Sequence, residues 1–509
     1  MRWRIIVRNI FSNWASYVVT AMIGFLLSPF IVHKLGTTGY GIWTLVLSLT
    51  GYFGLLDLGI RSSVGRFLAH HLALKDDQQA NRTLSTAFGI LAVGGTLALL
   101  ATIVMAEFFF PSFHVGPQFE SSAKIALFIT GINMSCVLPL GVFSSLLVAL
   151  ERYDILSGVT IIGELIRAVL IVIVLKLGYG LVAIAMIALF INVAEYSAMM
   201  YCARRLHPAV QLSAKLIDRK TFRELFGFGV YRFIWMVASQ LIFYSDSLVI
   251  GMFLGAGAIT YYAIAGSLIN YGRTVVMLVT DTFYPAATRM AAKQDMAGLR
   301  ELLIMGTRIS LLVSLPLCLG YILLGKQFIT LWMGKEYSVS WIYLVILTIP
   351  QIIGMSQYVS ALVLAGMARH KVLAYLVLAE GLLNLILSII LVRRIGLVGV
   401  AWGTVIPDLI CTMIIPWYTL GIVELKMQEY LARGFVRPVI AVLPAVGLGY
   451  VFFVTVQTPT WTLFLGEVAA ICGLVAVASY FLCLDSGQRA LACGKVRQVF
   501  HREPLVHEA

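Results

Sequence analysis

Apolar runs of about twenty residues recur along the chain from one end to the other, separated by short polar connections. Such a run predicts a membrane-spanning helix, because about 20 residues rising 1.5 Å each cross the hydrocarbon core of a bilayer. We therefore predict an all-α polytopic membrane protein with fourteen transmembrane helices and no soluble domain between them. The predicted spans are residues 13–32, 40–68, 84–109, 123–150, 155–175, 180–203, 226–254, 259–284, 302–324, 341–365, 372–392, 397–420, 439–456 and 461–484.

The spans fall into two groups of six and a final pair. The first run lacks a small-residue cleavage site and continues into a full helix, so we interpret it as a retained span rather than a signal peptide. The segment between the two groups is the longest and most charged connection in the chain. The predicted regions are an N-terminal six-helix lobe (1–204), a basic cytoplasmic linker (205–223), a C-terminal six-helix lobe (224–421), a terminal helix pair (422–484) and a cytoplasmic tail (485–509).

The two groups of six resemble each other in sequence. When the first half is moved forward by 216 residues, Gly180-Leu-Val falls on Gly396-Leu-Val and Glu164 falls on Glu380. A Glu inside a membrane span is rare, so its coincidence in two spans is hard to attribute to chance. Weak internal symmetry over six-helix units is typical of transporters whose two halves move about a central site. We predict two pseudo-symmetric lobes related by an axis along the membrane normal.

The composition agrees with a membrane protein: 60% of the 509 residues are hydrophobic and only 12% are charged, about half of the charged fraction of a soluble domain. A net charge of +13 could suggest nucleic-acid binding. However, 25 of the 37 Lys and Arg fall in the predicted cytoplasmic segments and only seven on the opposite side. This bias follows the positive-inside rule. It predicts that both termini are cytoplasmic and that nucleic acid is not a partner.

Motifs for catalysis, metal binding or nucleotide binding are not found in the sequence. It contains no His-Glu-x-x-His, no Gly-x-Ser-x-Gly and no Gly-rich phosphate loop ending in Lys-Ser or Lys-Thr. The seven Cys are scattered, without a Cys-x-x-Cys pair, so neither a disulfide nor a metal site is indicated. We predict a transporter rather than an enzyme, with no cofactor, driven by an ion gradient or by the substrate gradient.

Charged residues inside the predicted spans mark the candidate functional site, because a charge at membrane depth is costly and normally faces a partner or a cavity. Asp57 and Arg61 end an apolar run and are four residues apart, so on a helix they share a face and can pair. Glu164 and Arg167, three residues apart, can pair in the same way. The alternative for Asp57 and Arg61 is an ion pair at the cytoplasmic interface that only fixes helix ends.

Two other embedded arginines, Arg232 and Arg273, have no acidic residue within one turn of their own helix. Because a buried Arg without a partner is costly, we expect these side chains to line a hydrated central cavity. A guanidinium suits phosphate, since its planar fork binds two oxygens and it keeps its proton. The predicted substrate-binding residues are Arg61, Arg232 and Arg273, with Arg308 and Arg167 as further members.

The embedded carboxylates have a second predicted role, in coupling to an ion gradient. Glu380 has no basic residue within one turn of its own helix, whereas its counterpart Glu164 has Arg167. We therefore predict that Glu380 is the protonatable or sodium-coupled group, with Asp246 or Asp408 as alternates. Alternatively, both Glu residues pair with arginines on neighbouring spans. The candidate acidic set is Glu380, Asp246, Asp408, Asp57 and Glu164, and a structural role is the main alternative for the span-end residues Arg61, Glu195 and Asp281.

One motif resembles a known family. The segment Leu35-Gly-x-x-Gly-Tyr-Gly-Ile-Trp43, followed by the Asp57-Leu-Gly-Ile turn and an Arg-led loop, is similar to the polysaccharide-transporter branch of the MOP exporter superfamily. That superfamily also contains MATE drug antiporters and lipid II flippases. The resemblance implies that undecaprenyl-pyrophosphate-linked oligosaccharides cross a bacterial inner membrane by alternating access through a basic cavity. It also implies a monomer whose partners are this lipid-linked substrate, membrane lipids, a polysaccharide polymerase and a chain-length regulator.

Two other functions compete with this interpretation. A MATE-like cation-coupled drug exporter typically has an acidic residue in its first helix, and none occurs between residues 13 and 32. A membrane glycan polymerase or ligase would need a long periplasmic loop, but the longest, roughly residues 111–122, is too short for a catalytic domain. The residues leave open which sugar is carried and whether the polymer is O-antigen, capsule or exopolysaccharide.

Overall fold

The computed structural model describes residues 2–456 and 460–483; within these ranges it leaves the side chains of residues 2–7, 10, 228–232 and 370 undescribed. The predicted tail, 485–509, lies outside the described residues. Over the described ranges the protein is helical without a β-strand, and it contains fourteen long helices, which confirms the predicted fold class. They are α1 (2–35), α2 (37–73), α3 (Asp77–Ser112), α4 (Pro117–Ala149), α5 (Tyr153–Lys176), α6 (Leu181–Leu206), α7 (Arg219–Phe253), α8 (Ala256–Ala292), α9 (Met296–Trp332), α10 (Ser340–Gly366), α11 (His370–Ile395), α12 (Leu397–Val423), α13 (Met427–Thr455) and α14 (Trp461–Leu482).

Glycines separate consecutive helices at matching positions in the two halves. The apolar helical stretch Phe11–Ala73 has 63 residues, about 95 Å of helix and hence enough for more than one crossing. It is interrupted at Gly36, whose φ of 72° is left-handed and favours glycine. Gly255, between α7 and α8, has a φ of 86°. Leu35-Gly36 and Leu254-Gly255 also match in sequence, at an offset of 219 residues, so the two halves share a left-handed glycine at this position.

The glycine-rich motif at the start of α2 also brings two helices close together. A Cβ added at Gly41 would collide with the backbone carbonyl of Ala256, at the start of α8. At the same contact, the Thr260 hydroxyl donates a hydrogen bond of 2.6 Å to the carbonyl oxygen of Thr37. The small residue is needed for this approach, since a side chain would force the helices apart.

Several helices depart from regular α geometry in ways that have local causes. Helix α2 contains a 3-10 segment, Tyr52–Asp57, and resumes at Ile60 after two left-handed residues. Helix α9 contains a π turn at Gly320–Leu324, four residues after Pro316, which cannot donate a backbone hydrogen bond. Such interruptions bend a membrane helix without exposing its backbone to lipid when neighbouring groups satisfy the freed carbonyls.

Residue contacts divide the protein into two compact units. Unit 1 runs from the N-terminus to Ile264 and includes Ala374–Pro407, and unit 2 consists of Ala265–Leu373 and the chain from Asp408 onward. The predicted lobes, 1–204 and 224–421, were defined by sequence repetition and stay a prediction. One apolar core of unit 1 joins α2, α3, α4 and α6 with the start of α7, and one core of unit 2 joins α8, α9, α10, α12 and α13.

Candidate functional site

Asp57 and Arg61 form the ion pair that their spacing predicts. Arg61 Nε lies 2.8 Å from Asp57 Oδ2, and the backbone N–H of Arg61 donates to Asp57 Oδ1 at 3.0 Å. The expectation of one continuous helix face is wrong, because Leu58 and Gly59 between them are left-handed, with φ of 53° and 73°. Asp57 thus accepts a backbone hydrogen bond in the first turn of a new helix, which supports a role in fixing that helix end.

The guanidinium of Arg61 lies against α4. A Cβ added at Gly141 would be 2.8 Å from Arg61 Nη1, and the Tyr196 hydroxyl on α6 is 3.5 Å from the same nitrogen. The hydroxyl of Ser145 donates to the carbonyl of Arg61 at 3.0 Å. Arg61 therefore has a defined position among three helices, with its side chain 29% exposed.

Arg167 belongs to a network with two carboxylates. Its Nη1 donates to Glu164 at 2.9 Å, and its Nη2 donates to Asn192 on α6 at 2.6 Å. Nη2 also lies 3.5 Å from Glu195, and Asn192 donates onward to Asn133 on α4 at 3.2 Å. The predicted pairing of Glu164 with Arg167 is confirmed. A phosphate would have to compete with these two carboxylates for the guanidinium of Arg167.

Arg273 has a partner that its own helix does not supply. Its Nη2 is 3.1 Å from Asp408 on α12, and its Nε donates to Gln351 on α10 at 3.0 Å. Gln351 also donates to Asp408 at 2.8 Å. The inference that Arg273 needs a cavity for want of a partner is therefore wrong: an acidic residue 135 positions away in the sequence pairs with it.

The 216-residue offset of the repeat also places Asn192 on Asp408. The two side chains have similar neighbours. In unit 1 Asn192 donates a hydrogen bond to the side-chain amide of Asn133 on α4, and in unit 2 Asp408 accepts one from the side-chain amide of Gln351 on α10. Each position also accepts a hydrogen bond from an arginine, 2.6 Å for Asn192 and 3.1 Å for Asp408. The two constructions differ in charge, since one acceptor is a neutral amide and the other a carboxylate.

Asp246 is a buried carboxylate held by hydroxyl groups from three other helices. It accepts hydrogen bonds from Tyr262 on α8 at 2.7 Å, from Thr404 on α12 at 2.8 Å and from Ser388 on α11 at 3.4 Å. The residue is 5% exposed. Asn384 extends the group by donating to Thr404 at 3.1 Å.

No basic side chain of the described residues lies within ion-pairing distance of Asp246. A buried carboxylate is costly unless its charge is compensated or neutralised. The surrounding hydroxyl oxygens can accept as well as donate. This arrangement can therefore hold either a proton on the carboxylate or a small cation among oxygen ligands.

The remaining predicted residues lie in different surroundings. Arg308 on α9 donates to the backbone carbonyl of Arg433 at 2.9 and 3.2 Å and to that of Cys483 at 3.4 Å, so it joins α9 to α13 and to the end of α14. Arg232 lies in α7, and its side chain is outside the described part. Glu380 lies half-buried on α11. Within the described residues, the recorded contacts bring the candidates together in separate groups rather than in a single cluster.

Sequence reasoning missed the polar, uncharged members of these groups. Tyr262, Thr404, Ser388 and Asn384 all support Asp246, yet none carries a charge that stands out in an apolar run. Asn384 and Ser388 are four residues apart inside a span, and this polar stripe was a usable signal. Glu467 was also missed: it is buried in α14, and neither carboxylate oxygen has a hydrogen-bond partner among the described residues.

Comparison with known proteins gives the family. A family model described as polysaccharide biosynthesis protein matches residues 6–291, more than half of the chain. The chain belongs to this family. The predicted resemblance to the polysaccharide-transporter branch is thereby confirmed.

Similar proteins and a solved structure extend the similarity over most of the chain. EpsK of Bacillus subtilis (strain 168), an uncharacterized membrane protein, is 23% identical over 496 residues, which cover 96% of this chain and 98% of EpsK. A putative O-antigen transporter of Shigella flexneri is 21% identical, with 81% and 97% covered. The fold is similar to that of the lipid II flippase MurJ in its inward closed conformation, with a TM-score of 0.73, 16% identity, and 93% and 98% of the two chains covered.

Proposed function

We propose that the protein moves undecaprenyl-pyrophosphate-linked oligosaccharides across the bacterial inner membrane for the synthesis of a surface polysaccharide. The observation that carries this proposal is the similarity to a putative O-antigen transporter, of which 97% is matched. Membership in the polysaccharide biosynthesis family and a fold similar to that of a lipid II flippase also support it. We expect both termini to be cytoplasmic, and a monomer that works with a polymerase and a chain-length regulator.

The arginines of the described pairs provide a chemistry suited to pyrophosphate. Arg61 pairs with Asp57 at 2.8 Å, and Arg273 pairs with Asp408 at 3.1 Å. A pyrophosphate carries more negative charge than a carboxylate and accepts the same forked hydrogen bonds. The pyrophosphate can therefore compete with Asp57 for Arg61, or with Asp408 for Arg273. During alternating access, the ion pair with the carboxylate would form again and release the pyrophosphate. Arg232, Arg308 and Arg167 stay further candidates for this role.

We further propose that Asp246 is the ion-coupling carboxylate. Unlike Asp408, Asp57 and Glu164, which pair with arginines, it is bound by hydroxyls on α8, α11 and α12. Binding of a proton or a sodium ion would remove the cost of a buried charge while these helices stay together. Glu380 stays the second candidate for this role.

The deciding experiment is a strain that lacks this protein, assayed for lipid-linked oligosaccharide on each face of the membrane. We expect the repeat units to accumulate on the cytoplasmic face, and re-expression of the protein to restore their export. Unchanged glycan in the deletion strain would refute the proposed cargo.

One observation favours a second function, a MATE-like exporter of cationic compounds coupled to an ion. The buried Asp246 is an acidic group of the kind that such an exporter would need. Drug tolerance measured in parallel in the same deletion strain distinguishes the two functions. Altered tolerance with unchanged glycan would favour the exporter.

A further inference from the structure

The connection between α6 and α7, here called the α6–α7 segment (residues 207–218), is bound along α3. The side chain of Asn81 donates to the carbonyl of Ala209 at 2.8 Å and accepts from the N–H of Gln211 at 3.0 Å. The Asn81 side chain thus satisfies one backbone carbonyl and one backbone N–H of the segment, as the backbone of a paired β-strand does. The segment therefore has a defined path along α3 at this point.

The same attachment continues at both ends of the segment. His207 lies 2.9 Å from the carboxylate of Asp77, and the backbone N–H of Asp218 donates to Thr86 at 3.1 Å. The contacts follow one side of α3 in chain order, because Asp77, Asn81 and Thr86 are about one turn apart. The segment thus delivers the start of α7 to a fixed place beside α3.

Basic side chains without acidic partners lie on the outside of this region. Those of the segment and the first turn of α7 are exposed, and none has a carboxylate within 4.0 Å among the described residues. Arg300 and Arg433, by contrast, pair with glutamates at 3.1 and 2.7 Å. The exposed basic residues are Lys215, Arg219, Lys220 and Arg223.

The carboxylate of Asp218, at the start of α7, makes hydrogen bonds within its own turn. Asp218 is the N-cap of α7 and accepts from the backbone N–H and the hydroxyl of Thr221, at 2.9 and 3.0 Å. These hydrogen bonds hold the pKa of Asp218 below its usual range. With the exposed Glu224 included, residues 215–226 carry four basic and two acidic side chains and so keep an excess of two positive charges.

Aromatic rings complete this surface. The rings of Phe222 and Phe226 stack at 6.0 Å with an interplanar angle of 7°, and they are 43% and 42% exposed. Helical spacing places them on the side of α7 that carries Arg219 and Arg223. These four residues form what we call the basic-aromatic face of α7. Leu225 faces the opposite way, into the core of unit 1.

We propose that the basic-aromatic face binds the anionic phospholipid headgroups of the cytoplasmic leaflet. Its positive charge is complementary to lipid phosphates, which accept forked hydrogen bonds from guanidinium groups. Exposed rings beside basic groups suit the boundary between headgroups and acyl chains, because the apolar part enters that boundary while the charges stay at its surface. The attachment along α3 holds the face in place. The α6–α7 segment is thus part of a membrane-surface element rather than a free linker.

The test compares phosphatidylglycerol with phosphatidylcholine as ligands of the full-length protein, using native mass spectrometry of purified protein. The variant Arg219→Gln/Arg223→Gln removes two charges from the face, and Arg300→Gln/Arg433→Gln removes two charges that are already paired. We expect the first variant to lose about 25-fold of the preference for phosphatidylglycerol, about fivefold for each charge. We expect the control variant to keep the preference within about twofold. Equal thermal unfolding in zwitterionic detergent shows that both variants are folded.

Two outcomes would overturn the proposal. The first is the same phosphatidylglycerol preference in the wild type and in Arg219→Gln/Arg223→Gln. The second comes from farnesyl pyrophosphate, used as a probe of isoprenoid pyrophosphate cargo. If these arginines bind farnesyl pyrophosphate but confer no preference for phosphatidylglycerol, the face captures cargo instead of membrane lipid.

Discussion

The ion pair of Arg273 with Asp408 allows stability and transport to be separated by mutation. Arg273→Gln leaves Asp408 buried without its cation, and breaking a buried pair in this way costs 3–5 kcal/mol in the deep interior. The side chains of Arg273 and Asp408 are 21% and 16% exposed, so water reduces this cost, and we expect about 2–3 kcal/mol. The free energy of unfolding in mixed micelles measures it.

A second substitution should restore most of the lost stability. Asp408→Asn, added to Arg273→Gln, removes the unpaired charge and makes the position like Asn192, its neutral counterpart in unit 1. We expect the double variant to unfold within about 1 kcal/mol of the wild type, a coupling that a double-mutant cycle isolates. As a control, Lys124→Gln breaks the exposed pair with Glu120 and should cost at most about 1 kcal/mol.

Transport should not recover with stability. A hydrogen bond to a charged group is worth about 1.5–3 kcal/mol. If Arg273 binds the phosphate as proposed, its loss should slow flipping of lipid-linked oligosaccharide by about tenfold or more. The assay is flipping in proteoliposomes containing the folded double variant. Wild-type flipping by this variant would refute the substrate-binding role of Arg273. Equal instability of the single and double variants would refute the reasoning about the ion pair.

Three further predictions follow from other contacts. Asp246→Asn should keep the fold, because the amide oxygen still accepts hydrogen bonds. The dependence of flipping on pH or sodium should disappear in this variant, and an unchanged dependence would contradict the coupling role. Gly41→Ala should cost about 1–3 kcal/mol of stability through its collision with Ala256. Gly447→Ala, inside α13 and with open space at its Cβ, should not lower stability in the same unfolding measurement, because Ala favours a helix over Gly. Arg308→Gln should lower thermal stability, since it removes donors from backbone carbonyls, and an unaltered melting temperature would argue against that role.

The helices and their order could be predicted from the sequence. Their apolar runs are long, and Leu397, the first residue of α12, follows Gly396 as the repeat predicts from Gly180 and Leu181. Pairs within one turn were also predictable, as Glu164 with Arg167 shows. The expectation that Asp57 and Arg61 lie on one continuous helix was wrong, because Leu58 and Gly59 between them are left-handed. A spacing of four residues allows an ion pair both within a helix and across a turn that starts a new helix.

Ion-pair partners on other helices could not be predicted from the spacing of residues in the sequence. Arg273 lacks an acidic residue on its own helix, and only the packing of α8, α10 and α12 shows that Asp408 and Gln351 meet it. Hydroxyl and amide groups were hard to detect for a different reason. Thr and Ser in a membrane helix commonly bond to their own backbone, so their presence alone does not indicate a site.

The groups around Asn192 and Asp408 are similar in composition, although their arginines come from α5 and α8, which the repeat does not place at equivalent positions. Both units place an amide next to the equivalent positions Asn192 and Asp408, and both give that position an arginine. In unit 1 the negative charge comes from Glu164 and Glu195 instead, so two carboxylates lie beside Arg167. An incoming pyrophosphate would have to displace both of them and would be repelled by their charge. For this reason, we expect Arg167 to bind an anionic cargo weakly.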